Sequence, residues 1–216
     1  MSVELVFVHG WGFNANFWNP LVPLLPQFRQ SRVDLGFFGP PSEDLEPKTG
    51  ARILIGHSLG FLHGLKSRRD WDGWIAINGF TRFASSTRNG CVAPQSLRAM
   101  RVALQSDPAK VLRDFYQLIG AKPAIAGAPS LTRLTAGLDE LRDLDGNDIL
   151  SSFDISGLAL AGRLDPLVPL GASEELGQKA QGGGLAVHDE AGHLLPETDP
   201  SWCARLISQF LATYFD

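Results

Sequence analysis

The chain has 216 residues, 44% of them hydrophobic and 19% charged, enough to bury one ordinary core without splitting into two. Its formal net charge is −4 and it contains no Lys/Arg block of the kind that tracks phosphates, which argues against a nucleic-acid partner. The longest strongly apolar stretches, such as Leu21–Pro26, fall far short of the roughly 18 residues needed to cross a bilayer. Met1 runs straight into a Ser-Val-Glu-Leu-Val-Phe-Val stretch that reads as a strand, with no basic leader, so a cytoplasmic location is expected; a monomer is the expected state. Cys91 and Cys203 lie far apart with no CxxC spacing or His-rich partner, which speaks against a disulfide framework or a zinc site.

Short β-branched or apolar runs recur at Val3–Val8, Arg32–Leu35, Ala51–Gly56, Gly73–Asn78, Gly157–Gly162 and Gly184–Asp189. Runs such as Ile53-Leu54-Ile55 and Trp74-Ile75-Ala76-Ile77 are continuously apolar instead of alternating. That pattern belongs to strands covered on both faces, and it predicts an α/β architecture with a mostly parallel sheet flanked by helices. The last helix is expected from Asp199-Pro200, with Asp as cap, Pro in the first turn and Trp202, Leu206, Ile207, Phe210 and Leu211 along one face. Gly182-Gly183-Gly184 is read as the entry to the last strand.

Residues 80–150 break the alternation, with helical patterns and no convincing strand, so they read as a helical cap inserted between core segments 1–79 and 151–216. Asp107-Pro108 opens one helix, whose apolar positions Val111, Leu112, Phe115, Tyr116, Leu118 and Ile119 precede a terminating Gly120. Ser130 opens a second, carrying Leu131, Leu134, Leu138 and Leu141, and Leu97–Leu104 suggests a third. These apolar faces pack on the sheet in one reading and also line a substrate cavity in another.

Gly56-His57-Ser58-Leu59-Gly60 matches G-x-S-x-G between an apolar run and a plausible helix. A nucleophile elbow needs that context, with Gly56 and Gly60 letting a strained turn pass close to its neighbours and Ser58 projecting from the sheet end. A serine hydroxyl is a weak nucleophile near neutral pH and requires a base, which in turn requires a carboxylate to fix its tautomer. His9, His57, His63 and His188 are poorly placed for that work. His193, in Ala191-Gly192-His193-Leu194-Leu195-Pro196 between the last strand and the last helix, is the expected base, on a loop free to swing over the sheet edge. Asp165 directly follows the fifth strand and is the expected orienting acid, whereas Asp139, Asp143, Asp145, Asp148 and Asp154 read as solvated charges in or just after the cap. The chain order Ser58, Asp165, His193 is that of α/β-hydrolases. His9-Gly10-Trp11-Gly12 after the first strand can aim the Trp11 amide at the same point as the Leu59 amide, forming an oxyanion hole.

Taken with Val8-His9-Gly10-Trp11-Gly12-Phe13-Asn14-Ala15, Trp18, Val33-Asp34-Leu35, Ala84-Ser85-Ser86, Leu134-Thr135-Ala136-Gly137-Leu138-Asp139-Glu140-Leu141 and Gly162-Arg163-Leu164-Asp165-Pro166-Leu167-Val168-Pro169, these residues resemble the α/β-hydrolase superfamily, and within it the BioH-type esterases. The resemblance spans nearly the whole chain. It implies demethylation of pimeloyl-[acyl-carrier protein] methyl ester in biotin synthesis, with Ser58 as nucleophile, Asp165 and His193 as its partners and Trp11 and Leu59 as oxyanion donors. No metal or organic cofactor is called for. Against that pattern, no strand is expected before Val3, and residues 36–50, with Pro40, Pro41 and Pro47, read as a loop instead of a crossover helix.

Between Phe80 and Arg142 nine basic residues face four acidic ones, an excess that three aspartates up to Leu150 reduce. Lys110, Arg113 and Arg133 are accordingly candidates to receive an acidic carrier protein, an arrangement that raises association rate and fixes orientation. Two other readings remain open at this point: a general short-chain carboxylesterase, thioesterase or lactonase acting on free small molecules, and a non-catalytic receptor on the same fold.

Overall fold

A computed structural model describes residues 2–42, 48–85, 91–122 and 127–215. Six strands, β1 (Val3–Val8), β2 (Arg29–Val33), β3 (Ala51–His57), β4 (Gly73–Ile77), β5 (Ser156–Gly162) and β6 (Gln181–His188), form one sheet in the order β2-β1-β3-β4-β5-β6. Every neighbouring pair is parallel. The chain therefore leaves β1 toward one edge and returns at β3 to build toward the other. In open α/β sheets such a reversal places a crevice at the carboxyl ends of the two strands.

The continuous apolar runs are explained by two cores that share the same strands. Val6, Val8, Leu54, Trp74, Ala76 and Ala159 face α1 (Leu59–Ser67) and the helices inserted after β4. Their sequence neighbours Leu5, Phe7, Ile53, Ile55, Ile75, Ile77, Leu158 and Leu160 face the short 3-10 segment Ala15–Trp18 and the last helix, α8 (Pro200–Tyr214). Side chains alternate across a strand, so a strand buried on both sides has no polar face to show.

The two edge strands depart from their expected bounds. β2 starts at Arg29, earlier than expected, because on the outer strand only Val33 is buried and Arg29-Gln30-Ser31-Arg32 carries no apolar signal. β6 extends back to Gln181, with Gly182 and Gly184 at φ of +85° and +67° beside a register shift at Gly157/Leu158. A Cβ at Gly183 would come within 2.3 Å of the Gly157 carbonyl oxygen, so glycine is what permits that pairing.

Between β4 and β5 lie α2 (Pro94–Ser106), α3 (Pro108–Ile119), α4 (Leu131–Asp143) and the short α5 (Asn147–Ser151). Asp107 caps α3 through the Lys110 amide and Gly120 ends it in the left-handed region, while the Ser130 side chain caps α4 through the Arg133 amide. After β5 come α6 (Leu170–Lys179), then β6, α7 (Leu195–Thr198) and α8, which Asp199 caps at the Trp202 amide. Of the loop expected over 36–50, residues 43–47 lie outside the described residues, as do Ser86 and Arg88. The part before them turns back so that Asp34 and Ser42 exchange both backbone hydrogen bonds, at 2.8 and 3.0 Å.

Candidate active site

Ser58 stands between β3 and α1 with φ 53° and ψ −125°, a conformation that costs an L-residue about 1–3 kcal/mol. The flanking glycines explain how the chain turns so sharply. A Cβ at Gly56 would lie 2.3 Å from Phe61 Cα, and one at Gly60 would lie 2.1 Å from the Val8 carbonyl oxygen. The Ser58 amide closes the turn by donating to the Ile77 carbonyl at 3.1 Å. Both β1 and β3 thus deliver their carboxyl ends to one point, at the reversal of strand order.

His193 and Asp165 meet there from the other side. His193 Nδ1 lies 2.7 Å from Asp165 Oδ2, with the two side chains 2% and 1% exposed. The second carboxylate oxygen accepts the amides of Leu167 at 2.7 Å and Val168 at 3.0 Å, which fixes the carboxylate plane. With Nδ1 committed to Asp165, Nε2 is the nitrogen left for another partner. The His193 loop is tethered, contrary to the free loop expected from sequence: the His193 carbonyl accepts from His57 Nε2 and from Asn78 Nδ2, each at 2.8 Å. The His57 and His193 rings sit 4.8 Å apart.

The loop after β1 is held at each of its residues. His9 Nε2 accepts the Leu35 amide at 3.0 Å, which leaves Nδ1 to donate to the Gly10 carbonyl at 2.9 Å. Trp11 Nε1 donates to the Leu134 carbonyl at 2.9 Å, and the Tyr116 hydroxyl donates to the Gly12 carbonyl. Burial pushes the Tyr116 phenol up, so it stays a neutral donor. Asp34 braces the loop from below by accepting the amides of Ala15 and Gly36, each at 2.9 Å. Burial opposes its ionisation, yet the two amides it accepts hold its carboxyl well below the ordinary carboxylate range. A Cβ at Gly10 would approach Ser58 Cβ to 3.2 Å, so this loop abuts the elbow directly.

Above Ser58 lies a cavity of about 490 Å³ whose walls join the sheet to the inserted helices. Trp11 and Ser58 contribute from the core, Leu97 and Met100 from α2, Val111 and Leu118 from α3, and Leu138 from α4. The helices therefore do both things their apolar faces allowed. Leu118, 55% exposed, is one of six exposed large apolar residues among the described residues, and it stands on the cavity wall.

The other candidates fall elsewhere. Asp139 and Asp143 are engaged by Arg142, and Asp145 pairs with Arg82. His63 bonds to Glu140 and His188 to Asp199. Lys110, Arg113 and Arg133 are all exposed, but Lys110 forms an ion pair with Asp114. Among the described residues no cluster of His, Cys, Asp or Glu could hold a metal ion, and no helix is long and apolar enough to cross a membrane. Asn78 and Asp34 drew no reading from sequence, because only the folded chain brings their hydrogen-bond partners near.

A parallel sheet with this strand order, a serine at a strained turn after β3 and a His-Asp pair at the ends of β5 and β6 define an α/β-hydrolase. Solved structures agree on the fold: a bromoperoxidase from Bacillus anthracis superposes with TM-score 0.84 at 16% identity, covering 98% of this chain and 92% of that one. An esterase from Exiguobacterium antarcticum gives 0.81 at 17% identity with the same coverages. No family model matches the chain. In sequence it is 31% identical to the pimeloyl-[acyl-carrier protein] methyl ester esterase of Methylococcus capsulatus over 97% of this chain and 95% of that one, and 31% identical to the enzyme of the same name from Legionella pneumophila over 78% of each. The chain belongs to this esterase family, and it is a carboxylic ester hydrolase.

Proposed function

We propose that the chain cleaves the methyl ester of pimeloyl-[acyl-carrier protein] through an acyl-Ser58 intermediate. The observation that carries the chemistry is the buried 2.7 Å pairing of His193 Nδ1 with Asp165, which leaves Nε2 to accept a proton, and the substrate is that named for the relatives. Ser58 Oγ attacks the ester carbonyl as His193 Nε2 takes its proton, and the amides of Trp11 and Leu59 receive the oxyanion. His193 then protonates the departing methoxide, releasing methanol. A water gives its proton to the same nitrogen, attacks the acyl-serine, and Ser58 recovers its proton as the free acid leaves.

The largely apolar cavity suits a medium-length acyl chain better than a charged one, since an unpaired carboxylate would lose its hydration there. The carrier stays outside. Of the three basic candidates, Arg113 and Arg133 are exposed and in no ion pair among the described residues, so they are the stronger pair to meet an acidic surface. Residues 80–150 act in this reading as a cap that receives the carrier and walls the acyl site, and the enzyme works as a cytoplasmic monomer.

The experiment compares kcat/KM for pimeloyl-carrier methyl ester and for free short methyl esters, in the wild-type protein and in Arg113→Glu/Arg133→Glu, across ionic strength. Loss confined to the carrier-bound ester at low salt, about tenfold and fading as salt rises, is expected. Equal turnover of free and carrier-bound esters in both proteins would assign the activity to free small molecules instead.

A further inference from the structure

Asn78 follows β4 with φ 46°, one of two described non-glycine residues with positive φ, and is 1% exposed. The other is Ser58. A buried polar side chain in a strained conformation calls for a reason. Asn78 Oδ1 accepts the Gly162 amide at 2.8 Å, where β5 gives way to the loop carrying Asp165. Asn78 Nδ2 donates to the carbonyls of Gly192 at 2.9 Å and His193 at 2.8 Å. The amide orientation is unambiguous, since an N–H can only donate and a carbonyl can only accept. The two loops so joined also touch directly: a Cβ at Gly162 would lie 2.5 Å from the carbonyl oxygens of both Ala191 and Gly192.

All the bonds of the Asn78 side chain therefore go to the two segments that present the acid and the base. We infer that Asn78 is a positioning residue for ester hydrolysis, setting the main chain of His193 relative to Asp165 and, together with the His57 side chain, relative to the elbow. The inference rests on His193 being the base. A displacement of about 1 Å in such a group can cost on the order of 100-fold in rate.

The left-handed backbone supplies a clean test. Asn78→Gly tolerates the same φ while removing every side-chain bond, and Asn78→Asp keeps the shape and the acceptor for Gly162 but turns a carboxylate on the carbonyls of Gly192 and His193. Each variant is titrated with a fluorophosphonate to count competent sites, and kcat and KM on an activated ester are expressed per titrated site. A drop in kcat of about 10- to 100-fold per site is expected in both, with KM within twofold and a parallel slowing of fluorophosphonate labelling. A merely structural role would lower the number of sites and leave kcat per site alone, and that result in either folded variant overturns the inference. Ser58→Ala and His193→Ala run alongside. If they retain turnover the catalytic reading itself fails, whereas their inactivity with unimpaired Asn78 variants sinks only the role of Asn78.

Discussion

Asp165 holds His193 by one carboxylate oxygen while its other oxygen is pinned by the amides of Leu167 and Val168, so neither side chain can turn without breaking a buried bond. Asp165→Asn has a defined consequence. The amide oxygen stays with the two backbone N–H groups, and its NH2 faces His193 Nδ1, which must then accept. The proton moves to Nε2, where the ring can no longer take one from Ser58. A fall in kcat of about 10⁴-fold with little change in melting temperature is expected from steady-state kinetics and thermal unfolding. A silent substitution would remove Asp165 from the reaction.

His9 bears on the Trp11 amide, the proposed oxyanion donor. By fixing the Gly10 carbonyl it also fixes the Trp11 N–H, because the planar trans peptide points the two in opposite directions. His9→Ala releases that peptide and leaves the buried Leu35 amide without its acceptor. Loss of one oxyanion donor corresponds to about a 100-fold decrease in kcat. Kinetics on a chromogenic ester check this, and kcat within twofold of wild type would show that Trp11 is oriented by other means.

His57 makes folding sensitive to acid. Burial, and next the neighbouring His193, push its pKa well below the ordinary 6.5, against the opposing bond to the His193 carbonyl. In the unfolded chain it takes up a proton near pH 6.5, while the folded chain resists. The unfolded state then binds more protons, so this contribution to stability is intact above about pH 6.5 and is lost as pH falls below it, by up to about 1.4 kcal/mol per pH unit. Urea unfolding between pH 7.5 and 5 should show this slope, and His57→Gln, which keeps an amide donor but nothing to titrate, should flatten it. An unchanged slope in His57→Gln would assign the acid sensitivity elsewhere.

Sequence reading reached the central strands and the elbow because their constraints are local. β3 must be apolar on both faces, and Gly56 and Gly60 must be bare within five residues of chain, so the pattern sits in one short window. Edge strands gave a weaker signal, since Arg29 to Arg32 are polar and at most half-buried and the glycines of β6 carry no side chains to alternate. Asn78 was invisible for another reason. Its partners lie 84, 114 and 115 residues further along, and an asparagine after a strand is an ordinary turn residue until the loops close on it. The tether on His193 likewise depends on His57 meeting a carbonyl 136 residues away.

The most direct measurement is of the acyl-enzyme. Wild-type protein mixed with an activated ester of a medium-chain acid and quenched in acid should show one acyl group, located by peptide mass on the segment containing Ser58, and a burst of one equivalent of alcohol. Ser58→Ala, folded and purified, should show neither adduct nor burst, with turnover reduced by about 10⁶-fold. Normal turnover in Ser58→Ala, or an adduct on any other residue, would contradict the assignment of Ser58 as nucleophile.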